Sequence, residues 1–239
     1  MNGPSRRIIP VGWRVFTLRL DGDSPLLMNS SEYDRQGDTY RAFRQLGAKR
    51  GKSVEDELRL SELEFHLGLH YDEELGVFVP GLNVKELIRQ AATKWRKGEE
   101  VRRSLIVPDY RIPLIYEGPR EPAKLYAEGY YDVRMVANAG AGSGRVPRTR
   151  PMFTEWALEA DLAIDPEDLD DHVVQDAVDR SIKYGFGDGR TIGFGAFRPT
   201  LTFQRVQREP SNADARSRRN GATQAAQEAQ VRRIVGEAR

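Results

Sequence analysis

The stretch Tyr184–Phe203, YGFGDGRTIGFGAFRPTLTF, constrains the fold more than any other part of the chain. Gly185, Gly187, Gly189, Gly193 and Gly195 stand between a helical pattern and an alternating one. Glycine reaches φ > 0 without penalty and lets a second backbone or a phosphate come close. The loop also holds one cation, Arg190, and two aromatics, Phe186 and Phe194. One reading is a loop beside a strand that grips a polymer backbone. The other is a plain helix-to-strand connection.

The elements around it follow from periodicity. Trp13–Leu20 is apolar on both faces and predicts a central strand. Residues 30–75 read as an insertion: Ser30–Lys52 is polar and cation-rich, and Val54–Leu69 drifts from helical to alternating spacing. Asn83 and Glu86 have the form of a capping box and predict a helix opening at Asn83. Val84, Leu87, Ile88, Ala91, Ala92 and Trp95 are its apolar stripe. Ser104–Tyr116 predicts short strands broken at its prolines. Tyr130–Ala137 and Trp156–Ile164 alternate as half-buried strands. Between them, residues 138–151 predict a flexible hairpin tip with Arg145, Arg148 and Arg150 and no acid. Asp165-Pro166-Glu167 opens a second helix with a Leu169, Val173, Val174, Ala177, Val178 and Ile182 stripe. Ala196–Val206 is the last strand, and Pro199 predicts an edge position. Residues 207–239 shift to Ala, Gln and Arg and read as a disordered tail.

Reduced to its strong elements the chain is strand, helix, strand, strand, helix, strand. That is an α+β, ferredoxin-like (RNA-recognition-motif-like) pattern over residues 1–206. The last strand of that pattern is an edge strand, in agreement with Pro199.

The chemistry points away from catalysis. The 239 residues include no cysteine, which excludes disulfides and thiolate metal sites and fits a cytoplasmic protein. No apolar run approaches the ~20 residues of a membrane helix. His66 and His70 are four apart and would share a helix face with Glu62, but a further ligand is not evident. His172 lies among acids. Asp188 is one carboxylate among glycines, the habit of a turn residue. The loop lacks the Gly-Lys-Ser/Thr ending of a nucleotide-binding phosphate loop. No catalytic residue, metal or cofactor is therefore expected.

Net charge is only +1, yet its distribution is sided: ten acids and no Lys or Arg occur from Glu155 to Asp179. Cations have to gather elsewhere, as a groove for a phosphate chain requires. Arg145, Arg148, Arg150 and Arg190 are the candidates for phosphates. Phe186 and Phe194 are the candidates for bases, while Trp156 and Tyr184 fall in phase with apolar faces and read as core.

A ferredoxin-like domain with a glycine-rich loop before its last strand resembles the RAMP superfamily of CRISPR effector complexes. The tip at 138–151 is similar to the thumb of the backbone subunits, and 30–75 to their variable insertions. Pro25–Asn29 (PLLMN), Val79–Leu87 (VPGLNVKEL) and Arg148–Trp156 (RTRPMFTEW) also resemble uncharacterised bacteriophage proteins. The resemblance implies a non-catalytic protein that binds single-stranded DNA or RNA and self-associates along it. It places the contacts at Gly185–Gly195 and Arg145–Arg150. A RAMP-type endoribonuclease and a phage assembly factor are the alternatives.

Overall fold

The computed structural model describes residues 7–30, 35–137 and 144–208. In chain order the strands are β1 (Arg14–Gly22), β2 (Leu26–Leu27), β3 (Tyr71–Asp72), β4 (Gly76–Pro80), β5 (Leu105–Ile106), β6 (Arg111–Ile115), β7 (Tyr131–Ala137), β8 (Arg145–Phe153), β9 (Ala157–Ile164) and β10 (Phe197–Val206). The helices are α1 (Asp38–Ala48), α2 (Val54–Gly68), α3 (Gly81–Thr93), α4 (Gly98–Ser104), α5 (Pro122–Ala127) and α6 (Asp171–Ser181). A short 3-10 turn, Arg190–Ile192, lies inside the glycine loop.

The main sheet runs β10-β1-β9-β6-β4-β3, with β5 also on β9. Its first four strands, with α3 before β6 and α6 between β9 and β10, form the ferredoxin-like unit. Leu18, Leu20, Leu158 and Leu162 are fully buried on one face of this sheet. Val84, Leu87, Ile88, Ala91 and Ala92 of α3 and Val174, Ala177 and Val178 of α6 belong to the same core cluster. Burying a Leu or Ile side chain contributes ~2 kcal/mol, so this stripe holds α3 in place more than its end caps do. β10 lies at the edge with Pro199 opposite Leu20, as the sequence predicts.

Several sequence expectations are corrected. The strand beside β9 is β5/β6, through Leu105↔Ile164 and Leu114↔Leu158, and not Tyr130–Ala137. Tyr131–Ala137 pairs instead with Arg145–Phe153, so Arg145, Arg148 and Arg150 stand in a strand of a second sheet, β2-β8-β7. Of the expected tip only residues 138–143 lie outside the described residues, as does the tail from 209 on. Third, α3 begins at Gly81 with Pro80 as its N-cap and no side-chain cap. The Gly81 N–H donates to Tyr110 O (2.9 Å), which takes over the capping role given to Asn83. The insertion is helical through Gly68, with the capping box at Ser53 and Asp56. His70 therefore lies beyond α2 and does not continue the face of His66.

The glycine loop owes its shape to a close meeting of backbones. All five glycines have positive φ, from +66° to +97°. Asp188 N–H donates to Leu27 O (2.9 Å), Gly195 N–H to Pro25 O (2.9 Å) and Phe186 N–H to Gly195 O (2.8 Å). A Cβ on Gly195 would strike the carbonyl of Phe186, and one on Gly187 the carbonyl of Leu27. A Cβ on Gly193 would meet open space.

Two stability measurements follow from these backbones. Arg96, at the end of α3, is the one described non-glycine residue with positive φ (+63°). Arg96→Gly should raise stability by ~0.5–1 kcal/mol in urea denaturation, since the left-handed conformation costs most residues more than it costs glycine. Gly193→Ala should cost only ~1–2 kcal/mol, the conformational term alone. Gly195→Ala adds a backbone collision and should cost ~3 kcal/mol or more. Equal losses for the two alanines would show that the loop does not pack as described.

Candidate functional site

The second sheet docks on the glycine loop. Arg150 Nη1 reaches Asp188 Oδ2 at 2.7 Å. Arg134 of β7 lies over the Phe194 ring, 4.4 Å from its centroid, and is itself held by Asp132. On the other side of the hairpin, Glu64 of α2 accepts from Arg148 Nη1 (2.8 Å) and from the Thr149 N–H (2.8 Å). Ser61 and Thr149 hydroxyls meet at 2.7 Å. The structure thus brings the two sequence-predicted regions, hairpin and loop, into one surface.

It also sorts the predicted residues. Arg148 and Arg150 are engaged by carboxylates and fix the hairpin. Arg145 and Arg190 are exposed and make no ion pair among the described residues. Phe186 is buried, with a ring stacked on Trp156 at 6.1 Å and 23°; it is core and offers no face to a base. Phe194 is half-buried with one face taken by Arg134. Trp156 is core, its Nε1 donating to Ser24 O at 2.8 Å. Tyr184 packs against the core from a half-buried position. Gly187 and Gly193 are exposed, Gly185 and Gly189 half-buried, and Gly195 buried. Asp188 accepts from the N–H of Gly189 (2.8 Å), which makes it a turn residue as well as the anchor of Arg150.

The helix-free face of the main sheet is unsuited to stacking. Thr17, Arg19 and Asp21 of β1 lie beside Asp161, Glu159 and Ala157 of β9 and Thr202, Thr200 and Arg198 of β10. Arg19 pairs with Asp21 (2.9 Å) and Glu159 (3.7 Å). These strands offer no aromatic there, so bases would have nothing to stack on.

The start of α6 and the glycine loop lie at opposite ends of β1. Arg14, at the start of β1, pairs with Asp171 of α6 (2.6 Å), and Asp165 N–H donates to Ser104 O (2.9 Å). The glycine loop meets the opposite end, where Ser24 Oγ donates to Gly193 O (2.9 Å). A nine-residue strand at ~3.3 Å per residue puts the acidic start of α6 and the loop on the order of 25 Å apart.

A cleft of about 270 Å³ opens between the loop, β2 and α3. Asn29, His70, Asn83, Glu86, Gln90, Asp188 and Arg190 contribute its polar lining. The sequence leaves His70 far from the loop; the fold of residues 69–80 brings it there, and no local motif announces this. Hydrogen bonds from Arg89, then Gln90, with the charges of Arg89 and Arg190, outweigh desolvation and hold the neighbouring Glu86 carboxyl below its ordinary range. Burial pushes the His66 imidazole below its ordinary range. Among the described residues no group of three or more His, Cys, Asp or Glu could hold a metal ion, and no helix is long and apolar enough to cross a membrane.

No family model and no curated protein matches the chain. Among solved structures the chain is similar to one in the Type III-B Cmr-beta bound to cognate target RNA (TM-score 0.47, 10% identity), over 82% of this chain and 60% of that one. It is also similar to Cmr6 from Pyrococcus furiosus (TM-score 0.40, 9% identity), over 82% of this chain and all of that one. The chain thus spans about 60% of the length of the first. The ferredoxin-like order stands on the strand pairing itself.

Proposed function

We propose that this protein binds single-stranded nucleic acid without cleaving it, along the surface where the β7–β8 hairpin meets the glycine loop. The observation that carries the reading is the docking of that hairpin on the loop, where Arg150 meets Asp188 and Arg134 covers Phe194. Arg145 and Arg190 make no ion pair among the described residues, although the charge of Arg190 acts on the Glu86 carboxyl, whereas Arg148 and Arg150 hold the hairpin to α2 and to the loop. The glycines give the loop its shape, and the cations give it its charge. The outer edges of β10 and β7 have no partner strand among the described residues, which supports self-association along a bound strand. A CRISPR-type backbone subunit or a phage single-strand-binding protein would work in this way.

Arg145→Ala combined with Arg190→Ala should weaken binding of a fluorescent 40-mer at least ten-fold, at ~1.5 kcal/mol or more per charged hydrogen bond. The slope of log affinity against log salt should fall by ~1.4, about 0.7 per phosphate contact on a single strand. DNA, RNA and duplex in parallel identify the polymer. Unchanged affinity and slope would remove this surface from the account.

One observation favours a second reading: His70 and Asp188 line the same cleft. A histidine and a carboxylate within one cleft are the groups that metal-independent RNA cleavage uses. Labelled RNA incubated with and without divalent metal decides it. The binding reading expects intact RNA; cleavage abolished by His70→Gln would replace it with an endoribonuclease.

A further inference from the structure

The C-terminal ends of α3 and α6 meet in a cluster of cations that the hairpin and the loop do not use. Arg180 of α6 lies over the Trp95 ring, 3.9 Å from its centroid. Lys94 and Arg96 flank Trp95 in the chain, and the Lys183 N–H donates to Arg180 O (3.1 Å). Lys94, Arg96, Arg180 and Lys183 are exposed, and none makes an ion pair among the described residues. The acids nearest in sequence do not answer them. Glu100 holds Lys97, Asp179 accepts from Gln175 (2.8 Å), and Asp176, one turn before Arg180, makes no ion pair with it. Arg96 is the informative member of the cluster. The Lys97 N–H donates to Ala92 O (3.2 Å) and the Arg96 N–H to Thr93 O (2.9 Å), the pair of bonds that closes a helix through a left-handed residue, usually glycine. Arg96 holds that conformation with a side chain attached, at φ +63°. The helix dipole favours cations here, but Lys94 already answers it from a relaxed helical backbone. An arginine kept where glycine costs less points to a use for its guanidinium.

We propose that this cluster is a second phosphate-binding surface, over which the bound strand continues after it leaves the glycine loop. The assignment rests on the strand-binding reading above. Lys183 stands two residues before Gly185, so the end of α6 leads directly into the loop. The Trp95 ring holds the Arg180 guanidinium in place, and a planar guanidinium with an open edge can meet two oxygens of one phosphate. Arg96 and the two lysines add charge with no carboxylate paired to them, so a phosphate displaces no ion pair. Trp95 is half-buried with one face taken, so the cluster meets the backbone of a strand and reads no base.

The test compares the wild-type chain with Lys94→Gln/Arg96→Gly/Lys183→Gln on a fluorescent single-stranded 40-mer across a salt series. Arg180 is kept because it packs on Trp95, and Arg96→Gly relieves the backbone, so the variant keeps its fold; a thermal melt by circular dichroism checks this. Arg35→Gln/Arg44→Gln/Arg50→Gln, at exposed positions of the insertion, removes the same charge from another surface. The cluster variant should bind about ten-fold or more weakly, and its slope of log affinity against log salt should be lower by ~2, at about 0.7 per phosphate contact. The insertion variant should keep both values close to wild type. Wild-type affinity and slope in the cluster variant overturn the second surface and leave the strand-binding reading standing. Equal losses in the two variants do the same, since they trace the effect to total charge. No binding by the wild-type protein overturns the strand-binding reading itself, and the second surface with it.

Discussion

The structure turns on three residues, Pro25, Leu26 and Leu27. Leu26 and Leu27 pair with Phe153 and Met152 of the hairpin. The carbonyls of Pro25 and Leu27 accept from Gly195 and Asp188 of the glycine loop. The segment leaves the central strand β1 only three residues earlier. It therefore fixes the main sheet, the second sheet and the loop against one another through backbone hydrogen bonds. Buried backbone groups must be paired, so this seam leaves little freedom for the surfaces on either side of it. The glycines follow from it: where a loop backbone packs on another backbone, a Cβ has no room.

The same seam explains the division among the arginines. A hairpin docked on a loop needs polar partners where its edge meets protein, and Arg148 and Arg150 supply them against Glu64 and Asp188. Both pairs are partly shielded from water, so each contributes more than a fully exposed pair, whose worth is usually under ~1 kcal/mol. Residues of one type, a few positions apart, thus divide into struts and free cations according to whether a carboxylate lies opposite.

Much of the fold is legible in the sequence. The stripes of α3 and α6, the central β1 and the edge position of β10 follow from spacing and from Pro199. The second core strand is not legible. Tyr131–Ala137 alternates more cleanly than Arg111–Ile115, which Pro113 interrupts, yet the shorter segment lies beside β9. Alternation predicts a buried face, yet Val133 and Met135 of β7 are exposed, and it does not report in which sheet a strand lies. The cap of α3 fails for a related reason. Asn83 has the right chemistry, but a carbonyl from residue 110 reaches the helix start first. Of the candidate site, the meeting of hairpin and loop was readable as two cationic or glycine-rich segments. The burial of Phe186, the carboxylate partners of Arg148 and Arg150, and the arrival of His70 depend on long-range packing that no local pattern carries.

A glycine-rich loop is easily taken as evidence for a phosphate cradle, and here the backbone shows the limit of that argument. The N–H groups of Phe186, Asp188, Phe194 and Gly195 all donate to carbonyls within the protein. Amides so engaged cannot also cradle an anion, whatever the glycine count. What the loop presents outward is the Arg190 side chain on its 3-10 turn, beside a cleft walled by β2 and α3. Glycine is what lets the chain turn tightly enough to set that cation there. The motif therefore bears on recognition through the position it gives to a neighbour, and a substitution that keeps the glycines but removes Arg190 separates shape from charge.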